Sequence, residues 1–497
     1  MHLIKGEIRH TITGTRIFPY TKHQSYQLEN MTSIKVWGTW GNKKVRNPIT
    51  GFLIPDDKDD DPDFGTFITH RHDAVFIQNL FPDYIVKYED PIQGKQLNHS
   101  FSLNGDVTPR EAQAQIIDQI IMEKDSHQWF VYLSQGLGKT LLSVYMISYF
   151  NTRTLIMCYN TQVLRQWINT FGERTSIDLN SILFIDSGKI FDKIIEGSFP
   201  VWEYDIFMCT PKILTMYGER NGYESISIIF EKMGIGLKIF DEAHRNITNI
   251  IKINAYSSID KTLYLSGDFA QSNKRKETLY YRMFYDVPVL EPSTSLMMTL
   301  KYTVAIVVSF NSKPKKEDLD FVYTRRGFSF FNYMKYQMDH PDKFFDTLWF
   351  ILDSINDSNV NNFRILVLVN MIAHVDIVKE EIESHYPNRY IVGRYHSGVC
   401  KEEKEEARNH AELIVSTHSS FGVGIDISRV KYVISCNIGT KIDDNQGSGR
   451  ARPLPDHSDA FYFMMVDRGF PYCTKTLDDR LDYLNKTKIK AIKYIKL

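Results

Sequence analysis

The sequence predicts an α/β protein in which two parallel-sheet domains follow one another, preceded by a small N-terminal α+β domain. Three observations support this prediction. From about Gln113, short apolar runs alternate with helical patterns, as expected for buried strands and the helices that cover them. A second series of the same kind begins near Arg364. The first hundred residues differ in composition from both series.

Residues 1–100 are predicted to form the small accessory domain. They contain Trp37 and Trp40, short alternating segments, and an acidic loop over residues 56–63. Alternation of apolar and polar residues is typical of half-buried strands. We therefore expect a compact unit that is separate from the two parallel-sheet domains.

Residues 101–300 are predicted to form the first parallel-sheet domain. Its apolar runs are short, and helical patterns separate them, which favours parallel strands connected by crossover helices. The predicted strands cover residues 129–133, 154–159, 181–185, 205–209, 237–240 and 262–265.

Residues 301–475 are predicted to form the second domain, and residues 476–497 a basic C-terminal tail. A linker is expected within residues 290–324, which carry Pro292 and a lysine cluster at 313–316. The tail is basic and amphipathic, typical of an ordinary terminal helix, with phosphate contact by its lysines as the alternative. The predicted strands cover residues 364–369, 390–392, 413–416, 432–436 and 461–466.

Composition narrows the class of protein. With 497 residues, 43% of them hydrophobic, the chain is expected to be globular, and no apolar run is long enough to span a bilayer. Its N-terminus lacks a secretory signal, so we expect a cytoplasmic protein without a membrane partner. Five scattered cysteines favour neither disulfides nor zinc. A net charge of −1 means that any nucleic acid must be met by local basic patches.

A glycine-rich turn follows the first strand of the first domain. It runs Ser134, Gln135, Gly136, Leu137, Gly138, Lys139 and Thr140. Such a turn, restarting as a helix, presents backbone N–H groups to a polyphosphate, with a lysine to neutralise it and a hydroxyl for Mg²⁺. The sequence therefore predicts a nucleotide site.

Two carboxylates, Asp241 and Glu242, end a later strand of the same domain. One carboxylate holds the metal and its water shell, and the other activates or orients the attacking water. Together with the glycine-rich turn, they predict hydrolysis of a nucleoside triphosphate.

The second domain has no glycine-rich turn with a lysine and a hydroxyl. It offers residues 420–426 after one strand and residues 446–452, which include Arg450 and Arg452, after the next. Arginines beside small residues can approach a polyphosphate bound by another domain and stabilise charge on the γ-phosphoryl oxygens. We therefore expect a site that is complete only when the two domains close.

The order of these motifs resembles that of superfamily 2 helicases and translocases, over residues 113–466. The residues that carry the resemblance are 110–113, 136–140 in a form similar to the Swi/Snf-type loop, 163–167, 209–212, the Asp-Glu-Ala-His sequence at 241–244, 265–268, 422–426 and 446–452. The resemblance implies two tandem RecA-like domains that bind ATP and Mg²⁺.

The resemblance also implies a role for each matching residue. The implied catalytic residues are Lys139, Asp241, Glu242, Arg450 and Arg452. The implied nucleotide-binding residues are Gln113, as the adenine reader, with Ser134, Gln135, Gly136, Leu137, Gly138, Lys139, Thr140, Gly424 and Asp426. Thr140 and Asp241 are the implied metal ligands. The implied coupling residues are Ser266, Gly267, Asp268 and Gln446, and the implied nucleic-acid contacts are Arg165, Thr210, Lys212, Lys274 and Arg275.

Within the superfamily, the chain looks like the UvsW group of phage recombination helicases. Residues 265–267, and the aromatic small domain before the motor, carry this narrower resemblance. It implies single-stranded or branched DNA as the partner, nucleic-acid binding by the N-terminal domain, and a monomer that acts in a cytoplasm, that of an infected host included.

Two departures from the family pattern leave alternatives open. Arg450 and Arg452 are two residues apart rather than three, so either one is a candidate for the γ-phosphate. Asp268 replaces the usual hydroxyl of the coupling motif. The alternatives to a DNA helicase are an RNA helicase with the same core and a non-catalytic nucleic-acid-binding scaffold.

Overall fold

A computed structural model of the chain describes residues 7–18, 36–40, 43–47, 51–55, 65–70, 78–79, 82–123, 126–134, 136–267, 284, 287–299, 301–325, 327–355, 363–421, 427, 429–436, 441–451, 458–487 and 489–497. It divides into two compact units, Met1–Ser293 and Thr294–Leu497. Within these ranges, no helix is both long and apolar enough to cross a membrane.

The first unit begins with a small mixed sheet, as predicted for the N-terminal domain. Its strand order is β5-β6-β2-β1-β7, antiparallel except for the β1–β7 pair, and β3 and β4 form a separate hairpin. Ile8, Ile17 and Tyr84 form its small core. The strands are β1 (Glu7–His10), β2 (Gly14–Phe18), β3 (Val36–Trp40), β4 (Lys43–Asn47), β5 (Gly51–Pro55), β6 (Gly65–His70) and β7 (Ile85–Tyr88).

The N-terminal sheet is fixed to the rest of the first unit by buried polar contacts. The Thr11 hydroxyl donates to the carbonyl of Asn254 at 2.7 Å. Arg16, only 2% exposed, pairs with Glu224 at 2.6 Å and lies over the ring of Tyr256. Because a buried guanidinium without partners is strongly unfavourable, these contacts hold the two parts in one arrangement.

The larger part of the first unit is a seven-stranded, all-parallel sheet with the order β10-β11-β9-β12-β13-β8-β14. Its central strands are buried along their whole length, as expected when helices cover both faces. The strands are β8 (Gln128–Tyr132), β9 (Thr154–Cys158), β10 (Ile182–Phe184), β11 (Ile206–Cys209), β12 (Leu237–Asp241), β13 (Lys261–Ser266) and β14 (Val289–Leu290). The helices are Glu111–Met122, Lys139–Phe150, Thr161–Arg174, Gly188–Glu196, Pro211–Asn221, Glu224–Met233 and Ile247–Ala255.

The second unit contains another seven-stranded parallel sheet, with the order β19-β20-β18-β21-β22-β15-β23. Two apolar clusters pack against this domain's strands. The strands are β15 (Thr303–Phe310), β18 (Arg364–Val369), β19 (Val392–Tyr395), β20 (Leu413–Thr417), β21 (Val430–Ser435), β22 (Ala460–Asp467) and β23 (Ile489–Lys496), beside the hairpin of β16 (Tyr323–Thr324) and β17 (Gly327–Phe328). The helices are Thr294–Thr299, Lys316–Val322, Phe330–Asp339, Asp342–Ser354, Ile372–His385, Lys401–His410, His418–Phe421, Lys441–Ser448, Pro471–Lys475 and Leu477–Thr487.

Two segments differ from the expectations drawn from the sequence. The expected linker contains β15, which pairs with both β22 and β23 inside the sheet. The C-terminal segment, expected to be a tail ending in a helix, forms the helix Leu477–Thr487 and the edge strand β23. Pairing with β15 satisfies the backbone of β23, and this long-range interaction is not visible in the local pattern of isoleucines and lysines.

The helix Leu477–Thr487 is joined to the helix Lys441–Ser448 by a buried ion pair. The guanidinium of Arg480 donates to both carboxylate oxygens of Asp444, from Nη2 at 3.0 Å and from Nε at 2.5 Å. The hydroxyl of Tyr462 donates to the same carboxylate at 2.8 Å. Asp444 is fully buried and Arg480 is 3% exposed, so the C-terminal helix is part of the core of this unit.

Candidate nucleotide site

The predicted phosphate loop lies between β8 and the helix Lys139–Phe150. Gly136 and Gly138 have φ values of +83° and +85°, a left-handed backbone that turns the chain from strand into helix. The ammonium group of Lys139 donates to the carbonyl of Leu133 at 3.1 Å, and its side chain is only 10% exposed. A desolvated lysine at a helix N-terminus is suited to an anionic ligand.

Ser134 and Thr140 are the two hydroxyl residues of the loop. Within the part of the chain that the structure describes, the buried Ser134 hydroxyl has no hydrogen-bond partner. Thr140, in the first turn of the helix, is half-buried, as is Leu137. Gln135 lies outside the described residues. The loop therefore retains an unused polar atom and free helical N–H groups, which fit a phosphate chain.

Gln113, predicted to read adenine, is 1% exposed and contacts the phosphate loop. Its side-chain oxygen accepts the backbone N–H of Arg110 at 2.7 Å. Its side-chain nitrogen donates to the carbonyl of Gly138 at 2.8 Å. The side chain thus ties the start of the helix Glu111–Met122 to the loop, and adenine contact by Gln113 stays a prediction.

The two predicted catalytic carboxylates lie at the carboxyl end of β12. Asp241 is the last residue of the strand, and Glu242 has a left-handed backbone with φ +49°. A non-glycine residue in this conformation is strained, and such strain is concentrated at functional sites. One oxygen of Glu242 is 3.8 Å from the ammonium of Lys139, so the loop lysine and the second carboxylate meet.

Asp241 is held by two N–H donors of the protein, and the thiol of Cys158 makes a longer contact of 4.0 Å with its Oδ2. Its Oδ1 accepts the backbone N–H of Glu242 at 2.9 Å, and its Oδ2 accepts the indole N–H of Trp167 at 3.0 Å. Burial raises the pKa of Asp241, and the charge of Glu242 raises it further, whereas Lys139 and the Trp167 hydrogen bond oppose the shift. A nearby divalent cation would favour the ionised form.

A hydrogen-bonded series connects Glu242 with the adjacent strand. His244 Nδ1 is 3.4 Å from Glu242 Oε2 and 2.8 Å from the hydroxyl of Ser266, the last residue of β13. Gly267 follows and is buried, and Asp268 lies outside the described residues. Ser266, one of the predicted coupling residues, is therefore connected to Glu242 through a histidine that was not among the predicted site residues.

The residues present fit Mg²⁺. Asp241 and Thr140 would supply hard oxygen ligands. Oδ1 of Asp241 accepts one hydrogen bond from the protein, and Oδ2 accepts one from Trp167 and a weak, long one from the Cys158 thiol, which leaves a lone pair on Oδ1 for a metal or its water. In the described ranges, no group of three His, Cys, Asp or Glu side chains is arranged around a common metal position. Mg²⁺ usually takes one or two carboxylates, with waters and substrate phosphates as its other ligands.

Three of the predicted nucleic-acid contacts, Arg165, Thr210 and Lys212, follow neighbouring strands of the same sheet. Arg165 and Lys212 are exposed on the helices that follow β9 and β11, which pair with each other. The hydroxyl of Thr210 accepts the N–H of Ile213 at 3.3 Å and so caps the helix Pro211–Asn221. Lys274 and Arg275 lie outside the described residues.

In the second unit, the structure describes only part of the predicted site. Arg450 is half-buried just after the helix Lys441–Ser448, and its backbone N–H donates to the carbonyl of Gly447 at 3.0 Å. Gln446 lies on that helix. Gly424, Asp426 and Arg452 lie outside the described residues. The choice of arginine finger stays a prediction.

Three residues near this site were missed as site residues. His244 belongs to the sequence Asp-Glu-Ala-His, and that motif was the signal that could have identified it. Arg110 donates weakly to the carbonyl of Gly136 at 3.4 Å, and its place before Gln113 was the only hint. Trp167 is compatible by sequence with either a stacking or a core role, and no local pattern shows its bond to Asp241.

The first parallel-sheet domain matches a known family model. Residues 106–270 match the family model described as the type III restriction enzyme, res subunit. No curated protein matches the chain.

Solved structures similar to the chain include those of S. cerevisiae Dbp5 and T4 UvsW. The structure of S. cerevisiae Dbp5 bound to RNA and ADP BeF3 has a TM-score of 0.50 at 12% identity, covering 78% of this chain and 90% of that one. The crystal structure of T4 UvsW has a TM-score of 0.36 at 15% identity, covering 99% of this chain and 100% of that one. The family match and the shared fold confirm the resemblance to superfamily 2 helicases and the two RecA-like domains.

Proposed function

We propose that this chain is an ATP-driven nucleic-acid motor, a DNA helicase or branch-remodelling translocase that couples ATP hydrolysis to strand unwinding or annealing. One observation carries the proposal. At the carboxyl edge of a single parallel sheet, the loop lysine is 3.8 Å from Glu242, next to the buried carboxylate of Asp241. Phosphoryl transfer to water requires these groups: a lysine for the phosphates, a carboxylate for the metal and a carboxylate that orients the water.

Each side chain of the site has its own part in this reaction. Lys139 exchanges its contact with Glu242 for phosphate oxygens when the triphosphate enters, which leaves Glu242 free to orient the attacking water. Thr140 and Asp241 would hold Mg²⁺, which would supply charge neutralisation on the phosphates. Arg450 and Arg452, from the second unit, are proposed to stabilise the transition state.

Coupling to nucleic acid is proposed to use the contact between His244 and Ser266. It ties Glu242 to the end of β13, just before Gly267 and Asp268. Arg165, Thr210, Lys212, Lys274 and Arg275 are proposed to contact phosphates, so sequence specificity is expected to be low. Gln446 is proposed as a further coupling residue.

An RNA helicase is the second candidate, and one observation favours it: the similar structure of Dbp5 was solved with bound RNA. A non-catalytic scaffold is the third. The three candidates differ in ATP turnover and in its stimulation by nucleic acid, so a single set of measurements separates them.

The test is ATP turnover titrated with single-stranded DNA, branched DNA and RNA, with strand displacement measured in parallel. We expect DNA to stimulate turnover more than RNA. The opposite order supports the RNA helicase, and an inert wild type supports the scaffold. Hydrolysis without strand displacement indicates a double-strand translocase.

Two variants test the assigned side chains. Glu242→Gln keeps the shape but removes the base, so turnover should fall about a hundred-fold or more while nucleotide still binds. Lys139→Ala should abolish stimulated hydrolysis. The exposed residues Glu231 and Lys193 of the same unit offer matched controls, as Glu231→Gln and Lys193→Ala, which should leave turnover unchanged.

A further inference from the structure

Trp167 is a fully buried residue of the helix Thr161–Arg174, and its indole N–H donates to Asp241 Oδ2 at 3.0 Å. The helix follows β9, and β9 pairs with β12 so that Cys158 lies opposite Asp241. The chain therefore comes directly from the strand beside the carboxylate into the helix that supplies its donor.

The indole has the properties of a group that orients a carboxylate. It donates one hydrogen bond and carries no charge, so it fixes Oδ2 without competing as a cation. The other oxygen accepts the N–H of Glu242 at 2.9 Å, and the two bonds together restrict rotation of the carboxylate. Oδ1 keeps a lone pair beyond its bond to Glu242, and the other neighbour of Oδ2 is the Cys158 thiol, a weak donor at 4.0 Å.

The same helix has a second face in solvent. Trp167 and Arg165 are two residues apart, which places them on opposite sides of a helix. Trp167 is buried together with Val163, Leu164 and Phe171, whereas Arg165 is exposed. One rigid element therefore contacts the metal-holding carboxylate on one side and presents a cation to solvent on the other.

We propose that Trp167 is a positioning residue that sets the orientation of the Asp241 carboxylate for Mg²⁺. This inference rests on the proposed function, because it assigns Asp241 to the metal. Trp167 itself does not touch nucleotide or metal. Donors that hold a metal-binding carboxylate typically change metal affinity by about 10- to 100-fold when they are removed.

The test is equilibrium binding of a fluorescent ADP, titrated with Mg²⁺ and repeated in EDTA, so that no turnover is involved. Trp167→Phe keeps an aromatic ring and loses the N–H. We expect it to raise the Mg²⁺ concentration that promotes nucleotide binding about ten-fold or more. Affinity in EDTA should stay unchanged, because the phosphate loop is intact.

Trp129→Phe is the matched control. Trp129 is 1% exposed on β8 of the same sheet and stacks on Phe150, and its indole nitrogen has no hydrogen-bond partner among the residues described. The substitution removes the same volume from a buried site and should leave the Mg²⁺ requirement unchanged. Replacement of Trp167 by benzothienylalanine, which exchanges N–H for sulfur and keeps both rings, gives a second variant that preserves packing.

The outcomes separate this inference from the proposed function. Equal Mg²⁺ requirements in the wild type, the benzothienylalanine variant and Trp129→Phe would overturn the role of Trp167 alone. A wild type whose ADP binding is indifferent to Mg²⁺ would overturn the proposed function, and the inference with it. A shift in both Trp167 variants, absent from the control, supports the inference even where Trp167→Phe lowers stability.

Discussion

Gly138 is constrained both by its backbone and by its neighbour. Its φ of +85° disfavours any side chain, and a Cβ at this position would lie 2.2 Å from the side-chain nitrogen of Gln113. The same nitrogen of Gln113 donates a hydrogen bond to the carbonyl of Gly138. The predicted phosphate loop is therefore held in shape by one buried amide.

We expect Gly138→Ala to destabilise the first unit by more than Gly136→Ala. Gly136 has the same left-handed backbone but open space around it, so its variant should show only the conformational cost of about 1–2 kcal/mol. Chemical unfolding and ADP binding measure the difference. When Gln113 is first replaced by alanine, Gly138→Ala should destabilise the first unit no more than Gly136→Ala does, because the clashing side chain is gone. If Gly138→Ala still destabilises the unit more than Gly136→Ala, the assigned clash with Gln113 is wrong.

Ser266→Ala removes the hydroxyl that is 2.8 Å from His244 Nδ1. One neutral hydrogen bond is worth about 0.5–1.5 kcal/mol, so turnover should fall about two- to ten-fold as His244 loses its orientation beside Glu242. ADP affinity should not change. Ser225→Ala, which removes a hydroxyl bonded to the carbonyl of Gly222, is the control; equal losses in both variants would refute a specific role.

At the scale of elements, the second unit depends on buried polar contacts between its last helices and strands. The carboxylate of Asp444 accepts hydrogen bonds from Arg480 and Tyr462. Nε2 of His418 lies 3.2 Å from the hydroxyl of Ser435. The contact between Asp444 and Arg480 joins the helix Lys441–Ser448 to the C-terminal helix, and the contact between His418 and Ser435 joins the helix His418–Phe421 to β21. Their removal should therefore affect the unit that carries Arg450.

Arg480→Met should cost about 3–5 kcal/mol, because it leaves the carboxylate of Asp444 buried without its cation. Urea unfolding of the second unit measures this loss. Adding Asp444→Asn should recover part of it, since the amide carries no charge. A double variant no more stable than Arg480→Met would show that the lost packing of Arg480, rather than the unpaired charge, is responsible.

His418 should make the second unit less stable in acid. Burial lowers the pKa of His418, although Asp443 and Asp444 oppose this shift and Arg480 assists it. The unfolded state then binds the proton more readily, so stability is complete above the ordinary histidine pKa and falls as pH drops from there toward the lowered pKa. The slope is at most about 1.4 kcal/mol per pH unit for one proton.

Unfolding of wild type and His418→Gln between about pH 5 and 8, the range in which histidines titrate, isolates this contribution. The variant should lose less unfolding free energy than the wild type as the pH falls. Some loss should remain, because burial also lowers the pKa of His374. Identical pH profiles would exclude His418 as the source.

At the scale of the whole molecule, the chain consists of two compact units, and the N-terminal sheet belongs to the first. The N-terminal sheet packs closely against the helix Ile247–Ala255. A Cβ at Gly14 on β2 would lie 2.7 Å from the backbone nitrogen of Ala255. The buried amine of Lys238 on β12 donates to Thr13 at 3.0 Å and to Asn254 at 2.8 Å. The N-terminal sheet and the first parallel sheet share one polar core at this contact.

We expect Gly14→Ala to destabilise the first unit by about 1–3 kcal/mol, the usual cost of overpacking, and to leave the second unit unchanged. Thermal or denaturant unfolding with probes in each unit measures this. Gly105→Ala, with nothing within 4 Å of its added Cβ, is the control. A separate early transition of the N-terminal sheet alone would contradict a shared cooperative unit.

The sequence was most informative where function and fold depend on neighbouring residues. The glycine-rich loop, the Asp-Glu-Ala-His sequence and the alternation of apolar runs are local. They predicted the parallel sheets, and the joint role of Lys139, Asp241 and Glu242 in one nucleotide site stays a prediction. The C-terminal strand was not predicted, because β23 is an edge strand with most of its residues at least partly exposed, and only its pairing with β15 selects a strand.

By itself, the sequence determined the fold class and the chemical character of the nucleotide site, since each follows from residue types at short spacing. Only the tertiary structure decided that Trp167 holds Asp241, that Gln113 braces Gly138, and that Arg480 neutralises Asp444. The physical reason is that these contacts join segments that are distant in the chain. Burial decides their energies, and burial is a property of the assembled sheets and helices.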